Sequence, residues 1–447
     1  MQYLPNILFV IALLAGVGFF VFNIKKLIRN IKLGREEDRS DNKGQRFKNM
    51  AKIALGQYKM VVRPVSGIIH VLVYLGFIII NIEVLEIIID GIFGTHRIFS
   101  FLGGFYDFLI GVFEIFALLV LVGVIIFWIR RNILHIKRFL NREMKGWPKL
   151  DANLILYFEV VLMLLFLTMN AADLSLQTKG AEHYASAEGI VGAFPVSQFI
   201  APLFENMSVA SLILVERAAW WIHILGILVF LNYLYYSKHL HILLAFPNTY
   251  FARLKPQGQF DNLEAVTNEV KLMMDPDADP YAMPEEGAEE EVPAKFGASE
   301  ATDLSWAQLL NAYTCTECGR CTSECPANQT GKKLSPRRIM MATRDRIEDI
   351  GKNIDANKGT FKEDGKQLLD DYISREELWA CTTCNACVEA CPVGINPLSI
   401  IMDMRQYLVM EQSAAPTDLN NAMTNIENNA APWPFNQMDR ANWINEN

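Results

Sequence analysis

The sequence predicts an all-α protein in two unlike halves: a bundle of five transmembrane helices, then a soluble helical domain organised around cysteine. Three observations carry this expectation. Residues 1–24, 64–82 and 218–237 contain no charged side chain, so the chain has runs suited to hydrocarbon. Beyond Pro247 the composition turns to Asp, Glu, Pro and Gln. All eight cysteines among the 447 residues fall after residue 314, in two short runs, which suits metal ligation better than a scattered disulfide framework. With 51% hydrophobic residues and a formal charge of −8, the chain is too apolar for one small soluble domain, and nothing in its charge points to nucleic acid.

Crossing about 30 Å of hydrocarbon takes about 20 helical residues, and five segments supply them: 4–24, 64–84, 106–129, 154–172 and 218–240. Glu114 and Glu159 interrupt the third and fourth. The first lacks the basic n-region and the small-residue cleavage site of a secretory signal. Loop charge sets the orientation. Residues 23–63 hold twelve Lys/Arg and 130–149 hold seven, whereas 91–104 hold only Arg97 and 174–215 only Lys179. Positive loops stay inside, so the chain is expected to start outside a bacterial or archaeal cytoplasmic membrane and to end inside. The cysteines then lie in the cytoplasm, where thiols stay reduced.

Seven histidines are present. His96 and His183 fall in outer loops and His135 in a basic inner loop, where solvation is the expected role. His70 and His223 sit inside apolar helices, and an ionisable side chain at that depth is a functional candidate. His239 and His241 close the fifth helix. His70 lies near the inner start of the second helix and His241 near the inner end of the fifth, at similar depth. Two imidazoles from neighbouring antiparallel helices suit axial ligation of a haem iron, which leaves no open coordination position and favours electron transfer. The haem is expected to be b-type, because no C-x-x-C-H attachment motif exists. His239 is the alternative ligand, although it points to nearly the opposite face. His223 and His241 are expected five turns apart on one face of a continuous helix. That puts His223 near the outer surface, beside a second haem, a quinone or simply a hydrogen-bonding helix neighbour.

Ile69-His70 opening the second helix, with His223, Lys238, His241 and Pro247 in and after the fifth, resembles the five-helix cytochrome b subunit of respiratory nitrate reductase. It is also similar to the haem subunits of membrane-bound heterodisulfide reductases and of sulfite-reductase-associated complexes. The resemblance covers residues 1–247 and implies a cytochrome b-like bundle in which His70 and His241 hold the innermost haem. It matches His223 to a ligand of an outer haem, whose partner histidine is replaced here by Ile80.

Residues 248–303 read as a linker. Within it, 275–300 carry nine acidic residues against one Lys, with Pro276, Pro280, Pro284 and Pro293, a composition that cannot offset chain entropy by burial and is expected to form an extended tether.

The strongest signal is a repeated motif. Cys315, Cys318, Cys321 and Cys325-Pro326 are followed by Cys381, Cys384, Cys387 and Cys391-Pro392, both in the pattern C-x2-C-x2-C-x3-C-P. Three thiolates at this spacing wrap one iron–sulfur cube, and the fourth reaches the other cube in two-cluster ferredoxins. Cluster one then takes Cys315, Cys318, Cys321 and Cys391, and cluster two takes Cys381, Cys384, Cys387 and Cys325. Zinc sites use separated cysteine pairs instead. Helix signals surround the motifs: Ser335-Pro336 as an N-cap and first turn, Ser374 with Glu377 as a capping box, and Asn396-Pro397 opening a helix to about Gln412.

Cys-Gly-Arg-Cys, Leu334-Ser-Pro-Arg, Cys391-Pro-Val-Gly-Ile and Met404-Arg405 resemble the two-cluster subunit of heterodisulfide reductase. They are also similar to the iron–sulfur subunits of anaerobic glycerol-3-phosphate dehydrogenase and of succinate dehydrogenase. The resemblance covers residues 304–412 and implies an alpha-helical ferredoxin with two [4Fe-4S] clusters. In the tail, 413–447, the segments 425–433 and 439–443 resemble the stretch that leads fused iron–sulfur oxidoreductases into a Cys-Cys-Gly domain. That implies docking of a separate Cys-Cys-Gly protein, with a disordered terminus as the alternative.

No Gly-rich phosphate loop, flavin or nicotinamide fingerprint, or nucleophile with its base is present. Together the parts predict a membrane electron-transfer subunit between the quinone pool and a cytoplasmic redox partner, such as a Cys-Cys-Gly protein, an electron-transferring flavoprotein or a dehydrogenase. The alternative is a membrane-tethered redox sensor or scaffold without sustained turnover. Quinone chemistry moves protons, for which His223, Glu83, Glu86 and Glu114 are candidates toward the outer side and Glu159 toward the inner.

Overall fold

The computed structural model describes residues 3–185, 189–260, 262–276 and 295–446. Among the described residues, five helices are long and apolar enough to cross a membrane: α1 (Leu4–Ile31), α3 (Pro64–Phe93), α4 (Gly104–Asn132), α5 (Trp147–Thr178) and α6 (Val209–Tyr233), the last extended by a 3-10 turn to Tyr236. A short α2 (Lys43–Met50) lies in the first loop. Pro stands in the first turn of α1, α3 and α5, where its missing N–H costs no helical hydrogen bond. Helix α5 packs along both α4 and α6, α3 lies on α4, and α1 closes the bundle against α6 and α3.

The first four spanning helices run past the ends of the predicted apolar segments, and the carboxylates within them do not break them. Glu114 is fully buried in α4 yet accepts backbone N–H bonds from Val196 (2.8 Å) and Ser197 (3.0 Å), so the loop before α6 satisfies its carboxyl oxygen.

The fifth segment departs from expectation. It begins nine residues earlier, at Val209, and it does not continue to His241. At Ser237 the backbone becomes extended (φ −115°, ψ 146°), a 3-10 turn spans Lys238–Leu240, and α7 (His241–Tyr250) starts afresh with Pro247 inside it. Buried Asp151 of α5 holds this break by accepting from the Tyr233 hydroxyl (2.5 Å) and the Lys238 N–H (3.2 Å), while the Ser237 hydroxyl caps the His239 N–H. His223 and His241 therefore do not share one continuous helical face.

After α8 (Glu264–Met274), the soluble half is built from α9 (Trp306–Thr314), α10 (Arg320–Glu324), α11 (Pro326–Gln329), α12 (Pro336–Ala356), α13 (Arg375–Trp379), α14 (Ala386–Ala390), α15 (Pro397–Met410) and α16 (Thr417–Asn429). The predicted caps are present. Ser335 accepts from the Arg338 N–H, Ser374 and Glu377 form the reciprocal box, and Asn396 accepts from the Ser399 N–H. Most of the acidic linker, residues 277–294, lies outside the described residues. The tail carries α16 and a 3-10 stretch, Gln437–Ile444, both exposed.

The two halves share one core. Leu27 and Ile31 from the end of α1, with Phe230, Leu234 and Leu240, pack in the same apolar cluster as Leu309, Ile339, Ile347, Ile400 and Met404 of the soluble half. Polar contacts follow the same seam. Asn30 donates to the Tyr313 hydroxyl (3.1 Å), Arg29 to the Gly351 carbonyl (3.0 Å), and Arg35 exchanges backbone bonds with Leu304 (2.8 Å) and Trp306 (3.0 Å). The basic loops of the bundle face this seam, with Arg63 on Ser323 and Glu324 and with Glu143 on Arg337. The soluble half is thus seated on the bundle and does not hang from it.

Arg337 is fully buried, and Glu143 meets its guanidinium at 2.7 Å while also accepting from Ser335 (2.7 Å). Burial pushes the Glu143 carboxyl up, but Arg337 and the hydrogen bond from Ser335 outweigh it and hold the group below its ordinary 4.5. Its contribution to docking is present above pH 4.5 and lost as the pH falls through its lowered value. Acidification in that range is expected to loosen the halves, read as increased protease cleavage between them. Glu143→Ala strands a buried guanidinium and should cost about 3–5 kcal/mol, read as a lower unfolding midpoint at neutral pH.

Candidate redox centres

The two cysteine loops are conformational duplicates. Glu317 and Thr383 sit at matching positions with φ of 53° and 55°, and Gly319 and Asn385 with φ of 71° and 61°. Each loop then enters a one-turn helix, α10 or α14, and the two helices pack on each other. The left-handed position admits Asn in the second loop. In the first loop it needs Gly, because a Cβ there would strike the Arg337 guanidinium.

Cys315, Cys318, Cys321 and Cys391 line one hollow, which Cys387 also borders. Cys325, the fourth cysteine of the first motif, instead has Cys384, Cys381 and Cys387 as its sulfur neighbours. The fourth cysteine of each motif therefore joins the first three of the other. Burial pushes the Cys315 and Cys387 thiols up to about 12 and Cys391 up to about 11. Thiolates at these positions require a cationic partner such as iron. Backbone N–H groups already point at sulfur, from Ile395 to Cys391 (3.3 Å) and from Thr383 to Cys381 (3.4 Å).

The two loops face different surroundings. Arg320, beside Cys321, donates to the carbonyls of Lys59 (2.9 Å) and Met60 (3.0 Å), so the first loop abuts the bundle just ahead of α3. Cys384 of the second loop is exposed. Arg405 braces that loop by donating to the Leu378 and Cys381 carbonyls while covering the Trp379 ring at 4.9 Å.

At the seam, the rings of His70 and His241 come together with centres 6.4 Å apart and planes 37° from parallel. Two imidazoles held on opposite sides of one metal ion would have ring centres about 6.2 Å apart, from bonds of about 2.0 Å and about 1.1 Å from nitrogen to ring centre. The pair fits that spacing. His241 donates Nδ1–H to the Lys238 carbonyl (3.0 Å), a bond that fixes its tautomer and leaves Nε2 unprotonated and able to bind a metal ion. His70 keeps Nδ1 buried without a partner. His239 lies across His241 at 5.4 Å, nearly perpendicular, against Phe230.

Lys238 stands between the two kinds of site. Its ammonium contacts the Glu317 carboxylate inside the first cysteine loop and donates to the Pro148 carbonyl (2.6 Å), while its carbonyl holds His241. Arg344 also bonds Glu317 (2.9 Å). Burial raises the Glu317 carboxyl, but Lys238 and Arg344 outweigh it and hold the group below its usual range. Sequence reasoning missed this node, for which the signal was a lone Lys and Asp151 bordering apolar segments.

The remaining candidates lie apart from the seam. His223 is buried on α6, with Nδ1 on the Leu162 carbonyl (3.1 Å) and its ring against Phe166. Ile80 is buried in α3. Glu83 and Glu86 are buried near the far end of α3. Glu86 accepts from Phe99 (2.9 Å) and Tyr106 (2.8 Å), whereas Glu83 Oε2 has no partner. Glu159 is half-buried on α5. His135 is exposed, but His96 and His183 are not merely solvated loop residues. Their rings stand 5.6 Å apart, and His96 Nε2 lies 3.2 Å from buried Asp173, which also binds Arg97.

Comparison with known proteins agrees with the soluble half. Residues 314–395 match the family model described as a 4Fe-4S dicluster domain. The chain is 31% identical over 468 residues to the probable iron-sulfur-binding oxidoreductase FadF of Bacillus subtilis (strain 168), covering 98% of this chain and 61% of that protein. It is 26% identical over 465 residues to the EtfAB:quinone oxidoreductase of Syntrophomonas wolfei, covering 98% and 59%. A shorter match, 35% over 120 residues, is to one component of the ferredoxin/F(420)H(2)-dependent CoB-CoM heterodisulfide reductase of Methanosarcina acetivorans, covering 27% of this chain and 60% of that protein. The chain thus spans about three-fifths of the length of these relatives. No solved structure matches it. It is a membrane protein in which five spanning helices carry a 4Fe-4S dicluster domain.

Proposed function

We propose that this chain passes electrons between membrane quinone and a redox protein on the cytoplasmic side. Haem b held by His70 and His241, and two [4Fe-4S] clusters, supply the one-electron steps when bound. Cys315, Cys318, Cys321 and Cys391 hold the first cluster, and Cys325, Cys381, Cys384 and Cys387 hold the second. The observation that carries this reading is the order of the sites. The histidine pair meets the first cysteine loop through Lys238 and Glu317, and the second loop ends at exposed Cys384. The position that the resemblance matches to a partner histidine for His223 is Ile80, which supports one haem.

The twelve Lys/Arg of residues 23–63 and the seven of 130–149 lie in the loops that face the dicluster domain, which supports its cytoplasmic placement. The relative named for EtfAB and quinone supports an electron-transferring flavoprotein as partner, and the heterodisulfide reductase relative, itself one subunit of a complex, supports a separate partner subunit, for which a Cys-Cys-Gly protein is the other candidate. Exposed Trp433, Phe435 and Trp443 of the tail supply apolar area for either.

His70→Ala and His241→Ala are each expected to abolish the Soret band of purified protein, while His239→Ala and His223→Ala retain it. A Soret band unchanged in His70→Ala would refute the ligand pair. Gly319→Val is expected to lower the bound iron from about nine atoms per chain to about five, whereas Asn385→Gly leaves it intact, by iron assay and by electron paramagnetic resonance after reduction.

A further inference from the structure

A cavity of about 390 Å³ opens between α1, α3, α5 and α6 at the end of the bundle away from the dicluster domain. Small-molecule pockets start at about 300 Å³. One wall is aromatic. Phe9 of α1 packs on Trp220 (5.4 Å) and Trp221 (6.1 Å) of α6, and Phe9 reaches there because Gly91 of α3 has no side chain to collide with it. Charged side chains line the cavity too, among them Glu83, Arg97, Asp173 and His96, and Arg217 lies over the Trp220 ring at 5.5 Å.

The buried carboxylates of this region are almost all spoken for. Glu86 accepts from Phe99 and Tyr106, Asp173 from Arg97 and Gln177, and Glu216 from Tyr184 and Arg217. Asp173 Oδ1 has no hydrogen-bond partner among the described residues, although His96 Nε2 lies 3.2 Å away, and the other exception is Glu83. It lines the cavity, is 3% exposed, and leaves Oε2 with no hydrogen-bond partner. A buried carboxyl oxygen without a partner is costly unless a ligand donor meets it. Beyond Glu83, Asp173 and His96 stand 3.2 Å apart, and His96 neighbours His183, which is exposed. Carboxyl, carboxylate and imidazole groups thus lead from the cavity to the surface.

An apolar ring with two polar oxygens matches this mixed aromatic and charged lining. We infer that the cavity seats a membrane quinone, its ring against Phe9, Trp220 and Trp221, with Glu83 exchanging the ring-oxygen proton and Asp173 and His96 passing it to the surface. The inference rests on the quinone-linked function proposed above and adds the site and its residues. The chemistry balances as quinol going to quinone with two protons released at Glu83 in turn and two electrons delivered singly to the haem of that proposal, or as the reverse.

The test uses the full chain in membranes. A short-tailed azido-benzoquinone is expected to photolabel peptides containing Phe9 or Trp220, in wild type and equally in Glu83→Gln. The matching quinol should reduce the wild-type haem, Glu83→Gln should slow that reduction at least tenfold with an unchanged dithionite-reduced spectrum, and Glu83→Asp should restore part of the rate. Trp220→Ala should raise KM more than it lowers kcat. Labelling elsewhere in the bundle, or an undiminished rate in Glu83→Gln, overturns the site while the quinone-linked function stands. A wild-type haem that quinol does not reduce, with no labelling, overturns both.

Discussion

One lysine fixes the relation between the two halves. Lys238 sits where the fifth spanning segment breaks, with its N–H on Asp151, its ammonium on Glu317 and its carbonyl on the His241 imidazole. Burying an ammonium is costly unless carboxylates and carbonyls replace its water, and here Asp151, Glu317 and Pro148 do so. The same residue therefore sets the direction of α7, the tautomer of His241 and the seat of the first cysteine loop. Removing its charge would leave Glu317 facing Arg344 alone and free the break at Ser237 from one of its constraints.

The two halves are stabilised by different means. In the bundle, helices bury aliphatic faces against each other, while charged groups near the far end saturate one another, as Arg97 does with Asp173, Asn170 and Tyr106. In the dicluster domain, short helices supply caps and carry the cysteine loops, and a shared apolar core extends from them into the ends of α1 and α6. The duplicated loops differ in what surrounds them. The first is covered by Arg320, Arg337 and Lys238, and the second opens to solvent at Cys384. Cationic cover and burial on one side and exposure on the other would give otherwise similar clusters unequal potentials.

Features written in local spacing were legible in the sequence. The C-x2-C-x2-C-x3-C-P repeats, the caps at Ser335, Ser374 and Asn396, and five apolar stretches all depend on residues within a few positions of each other. The nearness of His70 and His241 was also legible, from depth alone, although the path to it was not. A continuous helix was expected between His223 and His241, and the Ser237 break depends on Asp151, more than eighty residues away in the chain. Likewise, the acidic stretch suggested a loosely tethered domain, whereas seating comes from Asn30, Arg35 and Glu143 reaching partners in the second half. Pairing of Arg97 with Asp173, and the role this gives His96, is invisible to any local pattern.

The insertion of α1 into the dicluster core bears on biogenesis. Asn30 and Tyr313 are 283 positions apart, and Leu27 and Ile31 complete an apolar core most of whose other members belong to the second half and are synthesised last. Contacts of such separation close late and slowly. The cysteine loops can therefore reach their final packing only after the bundle is in the lipid, so that maturation of the metal-bearing half is tied to membrane insertion of the other. An orphaned soluble half would present the seam that α1 normally covers, a surface for quality control to recognise.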